Sequence, residues 1–188
     1  MQRRTFLVWF GRAVYTACAA VVAGAGARFV AAPISSAASG GGPVRRRIAT
    51  LDSLPVGEPQ LLSVVGTRQD AWTRHADQVI GRVWVTRTTP PDADPEQTKL
   101  AVFNASCPHS GCPVQKAAPE GYVCHCHGAK FKPDGSKVGD GEGFTNPSPR
   151  GMDPLDHRIV KDEATGRWWV EVEYKEYEVG LAERVEKT

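Results

Sequence analysis

The chain has 188 residues, of which 41% are hydrophobic and 8% aromatic, with 23 Lys and Arg residues and 21 Asp and Glu residues. This composition suits one compact domain with appendages and excludes disordered and collagen-like chains. Residues 1–47 hold seven Arg and no acid, so residues 48–188 carry 16 basic and 21 acidic groups, a net charge of −5. No nucleic-acid partner is expected, because phosphate contacts need a basic surface.

The first residues (MQRRTFL) place two arginines ahead of an apolar pair and resemble a twin-arginine export signal, which carries folded proteins across a bacterial membrane. An uncharged segment, 13–27, follows. As a helix it would hold the flanking Arg Cα atoms about 24 Å apart, and snorkelling side chains would let it just span a bilayer. We predict a twin-arginine signal and transmembrane anchor over 1–32. A leader cleaved near Ala25-Gly26-Ala27 is the alternative.

A tether is predicted after the anchor. Residues 34–43 are rich in Ser, Ala and Gly and offer almost nothing to bury. We predict a flexible hinge over 33–47, with a root-mean-square reach of roughly 20 Å, enough for a head domain to change its contacts while the anchor stays fixed. A passive spacer is the alternative.

The body, 48–188, is predicted to be an antiparallel all-β domain, because its pattern has period two or consists of short apolar runs broken by Pro and Gly. The predicted strands are 60–65, 79–88, 99–104 and 168–179. Loops are predicted at 90–96 and 132–143. In the last strand Trp168, Val170, Val172 and Tyr174 would share the buried face, and Glu171, Glu173 and Lys175 the solvated one. Core packing is predicted for Trp84, Trp168 and Trp169.

Seven of the ten Cys and His residues lie between Cys107 and His127. They fall in two short boxes, Cys107–Cys112 (CPHSGC) and Cys124–Gly128 (CHCHG). The first follows the predicted strand that ends near Asn104, and the second follows a further short predicted strand at 121–123. Such crowding indicates a metal centre. Zinc is the first alternative, but zinc knuckles generally separate paired ligands by two to four residues, whereas one residue separates Cys124 from Cys126.

The pattern C-x-H-x-G-C, followed after eleven residues by C-x-C-H-G, resembles the Rieske iron–sulfur proteins. The resemblance implies a Rieske-type β-sandwich with a small cluster-binding subdomain at about 105–150, holding one 2Fe-2S cluster. It also implies a ligand set and a disulfide: Cys107 and Cys124 on one iron, His109 and His127 on the other, and Cys112 bridged to Cys126. Replacing two thiolates by imidazoles raises the potential to between roughly −150 and +300 mV, which suits oxidation of a quinol. His109 and His127, as exposed ligands, would then contact the quinol.

Three of the positions that depart from the family pattern are expected to tune the cluster. High-potential members carry Ser and Tyr, which hydrogen-bond to sulfur, where this chain has Ala129 and Phe131. Because a hydrogen bond to sulfur favours the more negative reduced cluster, we predict a lower midpoint potential, which fits menaquinol better than ubiquinol. Ser110 stands where quinol-oxidising members often carry an apolar Leu. His125 replaces the usual Pro and is interpreted as a surface residue.

The resemblance implies the Rieske subunit of a cytochrome bc-type complex in the bacterial cytoplasmic membrane, with its head on the outer side. It would take an electron from a quinol beside a cytochrome b-type subunit and pass it to a c-type cytochrome. The alternatives are the small Rieske subunit of an arsenite-oxidase-like molybdenum enzyme and a non-redox zinc-binding domain.

Overall fold

The computed structural model describes residues 3–38, 44–70, 73–117, 121–141 and 143–187. Across these residues the chain forms two single-turn 3-10 helices, Leu51–Ser53 and Pro95–Gln97, one α-helix and nine strands. The α-helix and strands are α1 Arg3–Ala38, β1 Val44–Thr50, β2 Gln60–Gln69, β3 Arg74–Arg87, β4 Leu100–Asn104, β5 Gln115–Ala117, β6 Gly121–Cys124, β7 Ala129–Phe131, β8 His157–Lys161 and β9 Trp168–Tyr174. Two compact units result. One contains α1 and the segment 69–74, and the other contains the rest of the strand-forming body.

Helix α1 is long and apolar enough over Arg3–Ala31 to cross a membrane, judged by length and composition. An N-terminal signal sequence meets the same criterion, so length and composition do not distinguish a membrane span from a signal. It continues through Pro33 to Ala38 and so includes the first residues of the predicted hinge. The Ala-rich sequence there favours the helical backbone.

Strand β1 includes the last residues of the predicted 33–47 hinge. It pairs antiparallel with β9, and its alternating arginines reach carboxylates far along the chain. Arg45 Nη2 lies 2.9 Å from Glu173 Oε2, and Arg47 Nη1 lies 2.7 Å from Asp162 Oδ2. Val44 to Arg47 therefore belong to the sheet. The centre of the predicted hinge, 39–43, lies outside the described residues.

Three antiparallel sheets build the body, ordered β1-β9-β8, β2-β3-β4 and β5-β6-β7. The β2-β3-β4 sheet contributes side chains to two cores, because successive residues of a strand point to opposite faces. Val83 and Val85 pack with Val170 of the first sheet, whereas Trp84 packs with Tyr122 of the third. The three consecutive residues 83–85 are accordingly all buried.

The predicted antiparallel strands are confirmed with shifted ends, and the sheets also contain β1, β5, β7 and β8, for which no strand was predicted. Val170 and Val172 are fully buried, as the alternation in β9 predicts. Trp84 is buried, and its Nε1 donates to the carbonyl oxygen of Val114 at 3.0 Å. The prediction of core packing is wrong for Trp169. It lies on the opposite face of β9, with the Arg47 guanidinium 5.8 Å from its ring centroid.

Candidate metal centre

Two hairpin ends carry the Cys/His boxes. The first loop, 107–112, follows β4, and the Cys107 N–H closes it by donating to the Cys112 carbonyl at 2.8 Å. The second loop, 124–128, joins β6 and β7, where Cys124 is paired with Ala129. Strand pairing at the base of each loop holds its functional side chains in place.

The thiols of Cys107 and Cys124 form the inner side of the site. Both cysteines are free, and they are only 0% and 1% exposed. Burial raises the pKa of the Cys107 thiol to about 11; the backbone N–H of His109 opposes the rise, and the hydrogen-bonded Cys124 thiol adds to it. Two adjacent buried thiols are a donor pair suited to iron, which binds them as thiolates.

The two loops are joined by a disulfide between Cys112 and Cys126, whose Cα atoms are 6.5 Å apart. This confirms the pairing that the resemblance implies. The sulfurs of Cys112, Cys124 and Cys126 lie within 4.8 Å of one another. A disulfide sulfur is not a thiolate, so within this group only Cys124 is available to a metal.

The imidazole rings of His109 and His127 form the outer side of the site. Their centroids lie 4.7 Å apart and their planes are almost perpendicular, at 86°. His109 is partly exposed and His127 is exposed. The four predicted ligands therefore form two close pairs, the thiols buried and the rings at the surface. His125, between two cysteines of the second loop, is also exposed.

Two of the three tuning positions lie in the core that contains the thiols, and the third lies beside the disulfide. Ala129 and Phe131 are fully buried in the same core as Cys107 and Cys124, and neither side chain has a hydrogen-bond donor. Ser110 is exposed, with its Oγ 3.8 Å from Cys112 Sγ, so it contacts the disulfide.

Asn146 has a structural role that the sequence did not reveal. It is 5% exposed, and its Nδ2 donates to the carbonyls of Lys130 at 2.7 Å and Val138 at 2.9 Å. Its Oδ1 accepts the N–H of Ser148 at 3.2 Å. One buried amide thus fixes the proline-rich turn to the strand that follows the second box. The Asn-Pro-Ser-Pro sequence is the signal that points to this turn.

A second feature that the sequence did not reveal is the contact of the chain's last residues with the first loop. The Gly180 N–H donates to the Pro108 carbonyl at 2.8 Å. Sequence offered no signal for this contact, because residues 176–187 show no Cys or His and no clear period.

A cleft of about 350 Å³ lies beside the first loop, with Leu61, Ile80, Gly111 and Pro113 among its lining residues. The rings of His109 and His127 do not line it.

The sequence model of the Rieske [2Fe-2S] domain matches residues 48–147, more than half of the chain. The chain belongs to the Rieske iron–sulfur family. Its domain binds a Rieske-type 2Fe-2S cluster and has an electron-transfer role. No curated protein matches the chain. Two thiols and two imidazoles would also satisfy zinc, so family membership decides between the two metals.

Proposed function

We propose that the chain is the iron–sulfur subunit of a quinol:cytochrome c reductase. It accepts one electron from a quinol and passes it to a c-type cytochrome. The observation that carries this proposal is the division of the site into buried thiols, Cys107 and Cys124, and solvent-facing rings, His109 and His127. An electron donor or acceptor can therefore contact the rings of His109 and His127 without any opening of the domain.

In this proposal Cys107 and Cys124 hold one iron, and His109 and His127 hold the other. The donor set suits such a cluster, because the two thiols are adjacent and the two rings are 4.7 Å apart. When bound, the cluster supplies a one-electron couple, which in Rieske centres lies between roughly −150 and +300 mV. The buried thiols exclude water from one side, and the rings provide the contact on the other.

The rings also provide a site for the proton that leaves a quinol together with its electron. Each imidazole has two ring nitrogens, and only one of them would bind iron. The other, when deprotonated, accepts a hydrogen bond and then the proton from a quinol hydroxyl. His127, as the more exposed ring, is the first point of contact.

The proposed location is the bacterial cytoplasmic membrane, with the head domain on the outer side next to a cytochrome b-type subunit. Helix α1 supports a membrane attachment by its length and apolar composition. The paired arginines near its start support twin-arginine export, and the disulfide supports an oxidising compartment. Export in the folded state suits a protein whose metal centre is assembled in the cytoplasm.

The quinol is proposed to be of low potential, as menaquinol is. Neither Ala129 nor Phe131 supplies a hydrogen bond to sulfur, and fewer such bonds lower the midpoint potential.

The small subunit of an arsenite-oxidase-like molybdenum enzyme is the second candidate function. Ser110 favours it, because a polar exposed side chain stands at the loop tip where quinol-oxidising members often carry an apolar one. Such a subunit would use the same donors but would need no quinol contact.

Purification of the full chain with its native membrane partners tests the proposal. We expect a haem b protein to co-purify, and menaquinol to reduce the cluster before electrons reach a c-type cytochrome. His127→Gln should abolish this reduction, whereas His125→Gln, the matched variant in the same loop, should retain it. Co-purification of a molybdenum protein, with a cluster that quinols do not reduce, would contradict the proposal.

A further inference from the structure

The end of the described chain folds back onto the first loop. Residues 176–187, here called the C-terminal hairpin, pair with themselves, since the Glu178 N–H donates to the Val185 carbonyl at 2.8 Å. Besides the Gly180 hydrogen bond to Pro108, Val179 approaches this loop, because a methyl group added at Gly111 would lie 3.8 Å from Val179 Cγ1. The hairpin lies outside the family match, which ends at residue 147.

Arg150 fastens the C-terminal hairpin to the body. Its side chain is 9% exposed, and its Nε and Nη2 each lie 2.8 Å from a carboxylate oxygen of Asp153. The same guanidinium donates to three hairpin carbonyls, those of Glu178, Leu181 and Glu183. A planar fork of five N–H donors suits this arrangement, in which one buried cation binds a carboxylate and several carbonyls.

The contact at Pro108 reaches a predicted cluster ligand through a single peptide group. The carbonyl of Pro108 and the N–H of His109 belong to the same amide. That N–H donates to the sulfur of Cys107, as does the N–H of Ser110. The hydrogen bonds therefore run in series, from the Gly180 N–H to the Pro108 carbonyl and from the His109 N–H to sulfur. Hydrogen bonds in such chains polarise and strengthen one another.

We propose that the C-terminal hairpin, fastened by Arg150, tunes the cluster by polarising the Pro108–His109 peptide that donates to Cys107. This inference rests on the proposed ligation of iron by Cys107. Arg150 and Gly180 are positioning residues, because neither touches the cluster ligands directly. By strengthening a hydrogen bond to sulfur, the hairpin raises the midpoint potential.

Backbone donors have more weight in this chain than in family members with a full set of side-chain donors. Ala129 and Phe131 provide no side-chain hydrogen bond, so the backbone N–H groups of His109 and Ser110 carry more of the stabilisation of the reduced cluster. Cooperative strengthening of order 10–30%, applied to a charge-assisted hydrogen bond, predicts an effect of about 1.3-fold to 4.6-fold on the ratio of reduced to oxidised cluster. This change corresponds to ~7–39 mV at 59 mV per tenfold change.

The direction in which the midpoint potential changes when the C-terminal hairpin is removed distinguishes tuning from simple shielding of the cluster from water. Two ferric ions, two sulfides and two thiolates sum to zero charge, so the reduced cluster carries one negative charge and water favours it. If the C-terminal hairpin only shielded the site, its removal would admit water and raise the midpoint potential. If it polarises the peptide, its removal lowers the potential.

The test is a redox titration of the otherwise full-length, cluster-loaded protein, monitored by electron paramagnetic resonance. One variant ends at Lys175, just beyond β9, so the C-terminal hairpin is removed and the Arg150–Asp153 pair remains. A second, Arg150→Gln, keeps the hairpin but removes its fastening. The matched control is Arg184→Gln, because Arg184 also contacts Asp153, at 3.2 Å, but lies on the hairpin.

We expect the ratio of reduced to oxidised cluster at fixed solution potential to fall about 1.3-fold to 4.6-fold in the first two variants, with no change in Arg184→Gln. Far-ultraviolet circular dichroism and cluster content establish that each variant is folded. An unchanged or raised midpoint in the folded truncated protein would overturn the inference. Failure of the ligation itself is distinguishable, because Cys107→Ser would then retain the wild-type cluster signal.

Discussion

Gly111 and Gly128 occupy equivalent places in the two loops of the site. Their φ angles are 78° and 77°, in the left-handed region. Each donates its N–H to the carbonyl of the cysteine four residues earlier, Gly111 to Cys107 at 2.8 Å and Gly128 to Cys124 at 2.9 Å. The two boxes therefore share one turn geometry, in which a buried thiol precedes a glycine that reverses the chain.

This turn geometry predicts that any residue other than glycine at position 128 lowers the stability of the fold, because the backbone there has a positive φ angle. No atom lies within 4 Å of a methyl group built there, so Gly128→Ala tests the φ angle without a steric clash. We expect a destabilisation of ~1–2 kcal/mol, the usual penalty for a left-handed Ala. The cluster absorbance should then be lost at a lower temperature, while Gly139→Ala, where space is open and φ is not positive, should match the wild type. Equal losses in both variants would contradict this turn geometry.

The disulfide is predicted to stabilise the site by restricting the unfolded chain. It closes a loop between residues separated by 14 positions, which predicts a contribution of about 3 kcal/mol. The double variant Cys112→Ser/Cys126→Ser should therefore lose its cluster absorbance at a lower temperature. Cys18→Ser, which removes the exposed free cysteine of α1, should have no effect. A double variant as heat-resistant as the wild type would show that strand pairing alone holds the loops.

Side-chain donors restored near sulfur are predicted to raise the midpoint potential. Ala129→Ser and Phe131→Tyr each add one hydroxyl at a fully buried position in the same core as Cys124 and Cys107. A hydrogen bond worth about 1 kcal/mol corresponds to a rise on the order of 40 mV, measured by redox titration. Val170→Thr places a hydroxyl in the other core and should leave the potential unchanged. No rise in either variant would refute the explanation for a low potential.

The sequence was most informative where a motif carries chemistry, and least where partners are distant. The boxes predicted the disulfide and the convergence of His109 with His127. The local periodicity of apolar residues could not reveal that Arg45 pairs with Glu173, which lies 128 positions away. Part of β1 was therefore assigned to the hinge. Nor could it reveal the Arg150 contacts with the C-terminal hairpin, because carbonyl acceptors leave no trace in side-chain composition. Trp169 was misplaced because both tryptophans are apolar but successive strand residues face opposite ways.

The ion pairs along β1 and β9 predict an acid-sensitive component of stability. Hydrogen bonds from Lys175 and Arg45 hold the pKa of Glu173 below its ordinary value of 4.5. The folded state binds this proton less readily than the unfolded state, so the stabilisation is complete above the ordinary value. It is lost as the pH falls through the lower, folded value.

Urea unfolding at about pH 7 and about pH 3 measures this component. The wild type should lose more stability on acidification than Glu173→Gln, which has no carboxylate at this position to protonate. The control is Glu96→Gln, since Glu96 is exposed and forms no ion pair within the described part of the chain. Equal acid losses in the wild type and Glu173→Gln would contradict the assigned pairing.

The central claim is that the cluster is bound asymmetrically, by two buried cysteine sulfurs on one iron and by two surface histidine nitrogens on the other. Pulsed electron paramagnetic resonance of the reduced, full-length protein labelled with ¹⁵N-histidine tests it most directly. We predict couplings from two histidine nitrogens, with one lost in His109→Cys and one in His127→Cys, and both retained in His125→Gln. A single coupling, or one that disappears with His125, would contradict the assignment of His109 and His127 as the outer ligands.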